Sequence, residues 1–321
     1  MRPAAELEFT ADHQQELMEI LRAEKGPEPE RIELRERVGI VRYKPEFPRA
    51  DESTNNSTEP AIPLVFIRGM GDSAADEWYL ETLARMEQRE VIGVVYDGRL
   101  QGKARRAEVE DLAGTISELD VTEAVDVAAV LAKLGITRVD LAAESRGAQA
   151  AIMLMRDHPE LVRNATLEHP GGLNRRTPRQ RYVDAAREGI ARAYRTMRSG
   201  QKRRPSEAAG ADHDEGMLLR LRNSHTEQLT VARARLEEEF AQLSPDIHVV
   251  VTGDRDDKAF RSEDLAETVR IAQAAGAQVE YEETNWGGHG LHYDEQSIHE
   301  MVGRLRRLER GRAGLADGDI E

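Results

Sequence analysis

Ser145 stands in the segment Ala143-Glu144-Ser145-Arg146-Gly147, between an apolar run, VDLAA, and a helical pattern, AQAAIML. A serine presented on a sharp strand-to-helix turn needs small residues two before and two after it, and Ala143 and Gly147 meet that demand. Such a turn exposes the hydroxyl at a helix N-terminus, where backbone N–H groups stabilise developing negative charge. The chemistry this suits is nucleophilic catalysis through a covalent serine ester. Small-x-Ser-x-Gly by itself equally describes an ordinary serine beside a turn, so the surrounding elements carry the weight. The chain has no cysteine, which excludes disulfides, thiolate metal sites and a thiol nucleophile.

The elements around Ser145 follow a regular rhythm. IPLVFI (62–67), VIGVVYD (91–97), VDLAA (139–143), NATLEH (164–169), IHVVVTG (247–253) and AQVEYEE (277–283) read as strands. Helical patterns lie between them, at 76–89, 106–117, 121–134, 146–157 and 262–275, and a last one runs over 295–311. Short apolar strands alternating with helices predict an α/β fold, a mostly parallel central sheet covered by helices on both faces. VGIVRY (38–43) predicts one earlier strand, preceded by a polar helix over 1–25 and a Pro/Glu break at 26–30. Residues 171–240 interrupt the rhythm with arginine-rich helical sequence, which predicts an insertion into one sheet domain. The expected organisation is therefore 1–61 as N-terminal helix, strand and linker, and 62–170 with 241–311 as the core. Residues 171–240 form the helical insertion, and 312–321 a disordered tail.

Over most of 62–311 outside the insertion, the chain resembles the α/β-hydrolase fold superfamily. The resemblance is densest in VAAVLAKLGITRVDLAAESRGAQAAIMLMRDHPELVRNATLEHP. Two flanking segments extend it: VVVTGDRDDKAF matches a strand ending in Gly-x-x-Asp, and NWGGHGLHYDE matches the Gly-His segment before the last helix. The resemblance implies a triad in the order Ser145, Asp256, His289, with backbone N–H groups of Met70 and Arg146 as the oxyanion hole. In such a triad the imidazole takes the serine proton, and the carboxylate fixes its tautomer and stabilises the imidazolium. Asp257 competes with Asp256, and His292 with His289. Glycines at 69 and 71 suit a loop whose backbone approaches a substrate. Two residues depart from the family pattern: Glu144 where esterase-like members often carry His, and Arg68 where His usually precedes the oxyanion glycine. Arg68 reads either as a structural ion pair or as a cation for an anionic substrate group.

In this family a helical cap follows the sixth strand and selects the substrate, and residues 171–240 occupy the matching place. Their arginines, among them Arg175, Arg179, Arg187 and Arg198, make the cap too polar for a long-chain lipase. A small or polar ester, lactone or amide is the expected substrate. Acyl transfer from the same serine, and a non-catalytic ligand-binding protein on this fold, are the alternatives. No cofactor or metal is expected, since the remaining histidines lack ligand spacing and the acidic turn at 254–257 lacks a full calcium-loop pattern. A net charge of −15 argues against nucleic acid as a partner. No run of about 18 apolar residues and no secretory leader pattern is present, so a cytoplasmic protein without membrane insertion is expected, monomer or homo-oligomer.

Overall fold

The computed structural model describes residues 29–35, 38–45, 61–69, 75–96, 118–173, 177, 179, 180, 183, 184, 187, 234–285, 288 and 295–313. Among the described residues eight strands form one sheet: β1 (Glu30–Arg35), β2 (Val38–Tyr43), β3 (Leu64–Ile67), β4 (Val91–Tyr96), β5 (Val139–Glu144), β6 (Val162–Glu168), β7 (His248–Asp254) and β8 (Val279–Thr284). Their order is β1-β2-β4-β3-β5-β6-β7-β8. β2 runs antiparallel to both β1 and β4, and every pairing from β4 to β8 is parallel. The described helices are α1 (Ala75–Glu87), α2 (Glu118–Leu134), α3 (Gly147–Asp157), α4 (Glu237–Ala241), α5 (Ser262–Ala274) and α6 (Glu295–Ala313). This is the α/β fold that the alternating strands and helices predict. β1 was not expected: ERIELR is charged at four of its six positions and lies just after the Pro/Glu break, so it lacks an apolar run.

The central strands are covered on both faces. Every residue of β3, β5 and β6 is buried. Alternation along the strands then sorts side chains between two layers. Val65, Ile67, Leu141, Ala143, Ala165, Leu167, Val249 and Val251 share one apolar cluster with α2, α3, α4 and α5. Leu64, Phe66, Val91 and Ala142 share the other with Tyr79, Leu80 and Leu83 of α1 and Ile298, Met301 and Leu305 of α6.

Where α6 crosses β6 to β8 the second layer turns polar. The Arg304 guanidinium bonds both carboxylate oxygens of Glu168, at 3.2 and 2.9 Å, and reaches Glu282 at 2.9 Å. Burial works against charge on Arg304, but Glu168 and Glu282 outweigh it and raise its pKa. At the opposite ends of the strands, Asp140 accepts from Arg163 at 2.9 and 2.6 Å and from Arg89 at 2.6 Å, and Glu309 of α6 joins Arg163 at 2.6 Å. Burial would raise the pKa of Asp140, yet Arg163 and Arg89 hold it below the usual carboxylate range. α6 is thus riveted to the sheet at two levels by buried charges that each have partners.

Both roots of the expected insertion enter the core: Leu173 on one side, Leu236 and Phe240 on the other, are all buried in the first layer. The rest of 171–240 lies almost wholly outside the described residues, as do the expected helices at 1–25 and 106–117.

Candidate active site

Ser145 joins β5 to α3 with φ +50°, the left-handed region that a non-glycine residue enters at a cost. Hydrogen bonds on both sides hold it there. Its N–H donates to the Glu168 carbonyl at 2.9 Å, and its own carbonyl accepts from Gly171 at 2.8 Å and Ala148 at 3.3 Å. The residue is 4% exposed. Gly147 is required by the neighbouring strand more than by the turn: a Cβ there would run into the carbonyls of Ile67 and Arg68 at the end of β3. A Cβ on Gly69 would stand 3.0 Å from that of Ser145. The end of β3 and the serine turn therefore meet backbone to backbone, which brings the loop carrying Arg68 and Gly69 alongside Ser145.

The predicted site residues fare differently in the described part of the chain. Arg146 is buried, with its guanidinium 2.8 Å from Glu123 of α2, a buried partner the sequence reading did not anticipate. Arg68 is half-buried beside the turn. After β7 the chain turns through Asp254, Asp256 and Asp257. Asp256 is exposed, and its N–H donates to Asp254 Oδ1 at 2.7 Å. Asp257 is 2% exposed; its Oδ1 accepts the N–H groups of Ala259 at 2.7 Å and Phe260 at 2.9 Å. Its Oδ2 lies 3.4 Å from Nδ1 of His169, which is wholly buried one residue past β6. His289, its competitor His292 and Met70 lie outside the described residues.

Ser145, Asp257 and His169 all follow the carboxyl ends of parallel strands, the edge on which open α/β sheets place their ligands. Sequence spacing had no means to find His169, Glu123 or Arg304, whose roles come from packing against Asp257, Arg146 and Glu168, partners well separated along the chain. Among the described residues no group of His, Asp and Glu side chains is arranged to hold a metal ion.

No protein-family model matches the chain, and no curated protein matches its sequence. Solved structures do match its fold. Est816, an N-acyl homoserine lactone degrading enzyme, superposes with TM-score 0.53 at 16% identity, covering 87% of this chain and 99% of its own. A thermophilic esterase from Thermogutta terrifontis gives 0.55 at 14% identity, covering 88% and 100%. A proline iminopeptidase from Mycobacterium smegmatis gives 0.54 at 13% identity, covering 90% and 100%. The likeness extends over most of each chain and concerns the fold.

Proposed function

We propose that this chain, which has the α/β-hydrolase fold, is a serine hydrolase that works through an acyl-enzyme on Ser145. The observation that carries the reading is the left-handed backbone of Ser145 at the β5–α3 junction. Strain at a non-glycine residue persists only where the surroundings enforce it, and here the end of β3 and the Glu168 carbonyl do so. The strain lifts the hydroxyl onto the carboxyl edge of the sheet, at the head of α3.

In this reading His289 takes the Ser145 proton as the oxygen attacks an acyl carbon, and returns it to the leaving group. Water then repeats the sequence on the ester. The N–H groups of Met70 and Arg146 stabilise the oxyanion, each contributing on the order of 3 kcal/mol to the barrier reduction. For the carboxylate, burial favours Asp257 over Asp256, the residue that the Gly-x-x-Asp register selects. A triad acid must be desolvated and fixed, and Asp257 is held by two backbone donors whereas Asp256 faces water. A small or polar ester, lactone or amide remains the proposed substrate class, on the polarity of residues 171–240; one structural neighbour acts on such a lactone.

The test is labelling with a fluorophosphonate, followed by turnover of p-nitrophenyl acetate. Wild type should label and Ser145→Ala should not. Asp257→Asn should lose at least about 10² in turnover and Asp256→Asn less than about tenfold. A folded wild-type protein that resists labelling would refute the hydrolase reading. A larger loss in Asp256→Asn would return the acid to the register's choice.

A further inference from the structure

We propose that His169 is a positioning residue that aims the Asp257 carboxylate at the general base. The inference rests on the reading of Asp257 as the triad acid. His169 follows β6 with φ +48°, a second left-handed non-glycine residue on the same edge as Ser145. Its N–H donates to the Thr252 carbonyl of β7 at 3.2 Å, its Nε2 lies 3.2 Å from Thr284 Oγ1 at the end of β8, and its Nδ1 faces Asp257. One buried ring thereby ties together the ends of three strands at the edge where the acid stands.

The division of labour on Asp257 follows from its two oxygens. Oδ1 is taken by two backbone N–H groups, which fix the carboxylate plane. Oδ2 has His169 Nδ1 at 3.4 Å, longer than a full hydrogen bond, so the contact steers that oxygen without saturating it. A carboxylate oxygen has two acceptor sites, and the second is where a base bonds. To face a carboxylate favourably, Nδ1 must carry the proton. Nε2 of the neutral ring is then an acceptor, and the Thr284 hydroxyl donates to it. With both ring nitrogens protonated, the same hydroxyl accepts from Nε2 and turns its proton to the Gly253 carbonyl, 3.4 Å away. Thr284 thus satisfies the ring in either protonation state, and Asp257 keeps a donor on Oδ2 in both.

The test compares His169→Leu, His169→Asn and Thr284→Val in p-nitrophenyl acetate turnover, with circular dichroism to establish folding. Asn tolerates a left-handed backbone and sets an N–H donor near the position of Nδ1. His169→Leu should lower kcat by about 10- to 100-fold with KM within about threefold, because the acid is misplaced while substrate binding is intact. His169→Asn should recover kcat to within about fivefold of wild type, and Thr284→Val should lose about three- to fivefold. Equal losses in the Leu and Asn variants would mean a space-filling role and overturn the inference, as would wild-type kcat in folded His169→Leu. Should His169→Leu fail to fold, wild-type kcat in Thr284→Val overturns it. Asp257→Asn, run alongside, separates the two failures: if it keeps full turnover, the acid assignment has failed and this inference with it. If it is crippled while the His169 variants are not, only the role of His169 has failed.

Discussion

Arg304→Met removes a guanidinium and keeps most of its aliphatic stem, which isolates one buried carboxylate. Glu168 is fully buried and receives four hydrogen bonds, from Thr166 Oγ1 at 2.5 Å, Thr252 Oγ1 at 2.7 Å and Arg304 at 3.2 and 2.9 Å. The variant keeps the two hydroxyls and loses the Arg304 charge that balances that carboxylate. Breaking a buried pair from one side costs about 3–5 kcal/mol, and the surviving hydroxyl bonds place this case near the lower end, about 3 kcal/mol. Glu282, the other partner of Arg304, is partly exposed and retains Arg307 at 2.6 Å, so it adds little. Glu168→Gln leaves Arg304 with Glu282 and should cost about 2 kcal/mol. The double variant has no stranded charge on either side and should lose about 2–3 kcal/mol instead of the sum, a coupling of about 2–3 kcal/mol. Equilibrium unfolding in urea, followed by circular dichroism and by fluorescence of Trp78 and Trp286, measures all four corners of the cycle. Additivity within about 0.5 kcal/mol, or a loss below about 1 kcal/mol for Arg304→Met, would refute the view that these charges act as one buried unit.

The acid response should depend on Asp140. Its folded pKa is depressed, so its contribution is fully present above the unfolded value near 4 and is lost as pH falls through the folded value. Asp140→Asn should therefore flatten the fall of the urea midpoint below about pH 4, and parallel curves for the two proteins would count against this. Gly147→Ala drives a methyl group into the Ile67 and Arg68 carbonyls, which are backbone and cannot swing aside. It should cost about 1–3 kcal/mol, a Tm drop of about 2–6 °C, and slow fluorophosphonate labelling. A variant that melts and labels like wild type would show that β3 yields at no cost.

The parts of the fold legible in the sequence are those where burial and periodicity coincide. β3 (LVFI), β4 (VIGVVY) and the start of β7 (HVVV) carry apolar runs because helices cover the sheet, and the Ser145 turn announces itself through Ala143 and Gly147. β1 was silent because an edge strand with one polar face need not carry an apolar signature. The buried charges were silent for the opposite reason. Arg89, Arg163, Arg304 and Glu309 look like solvated surface on any helical or strand pattern, and only the meeting of α6 with β5, β6 and β8 makes them interior. Asp256 and Asp257 are adjacent, so spacing distinguishes them poorly. What separates them is which carboxylate the Ala259 and Phe260 N–H groups reach, a property of the turn's path. His289, Met70 and most of 171–240, where the sequence places the base, one oxyanion donor and the substrate-selecting cap, lie outside the described residues.

β8 closes one side of the sheet, paired with β7 alone among the described strands. Its outer rim offers backbone donors and acceptors that a strand from another molecule would find adhesive. VEYEET answers this with glutamate at three of its six positions. A second copy adding to the rim in two-fold fashion, centred between Tyr281 and Glu282, would set Glu280 against Glu283 of that copy. It would also have to strip water from the Arg255–Glu283 pair that flanks the rim. Sheet-to-sheet accretion is thereby discouraged at neutral pH by like charge and by desolvation.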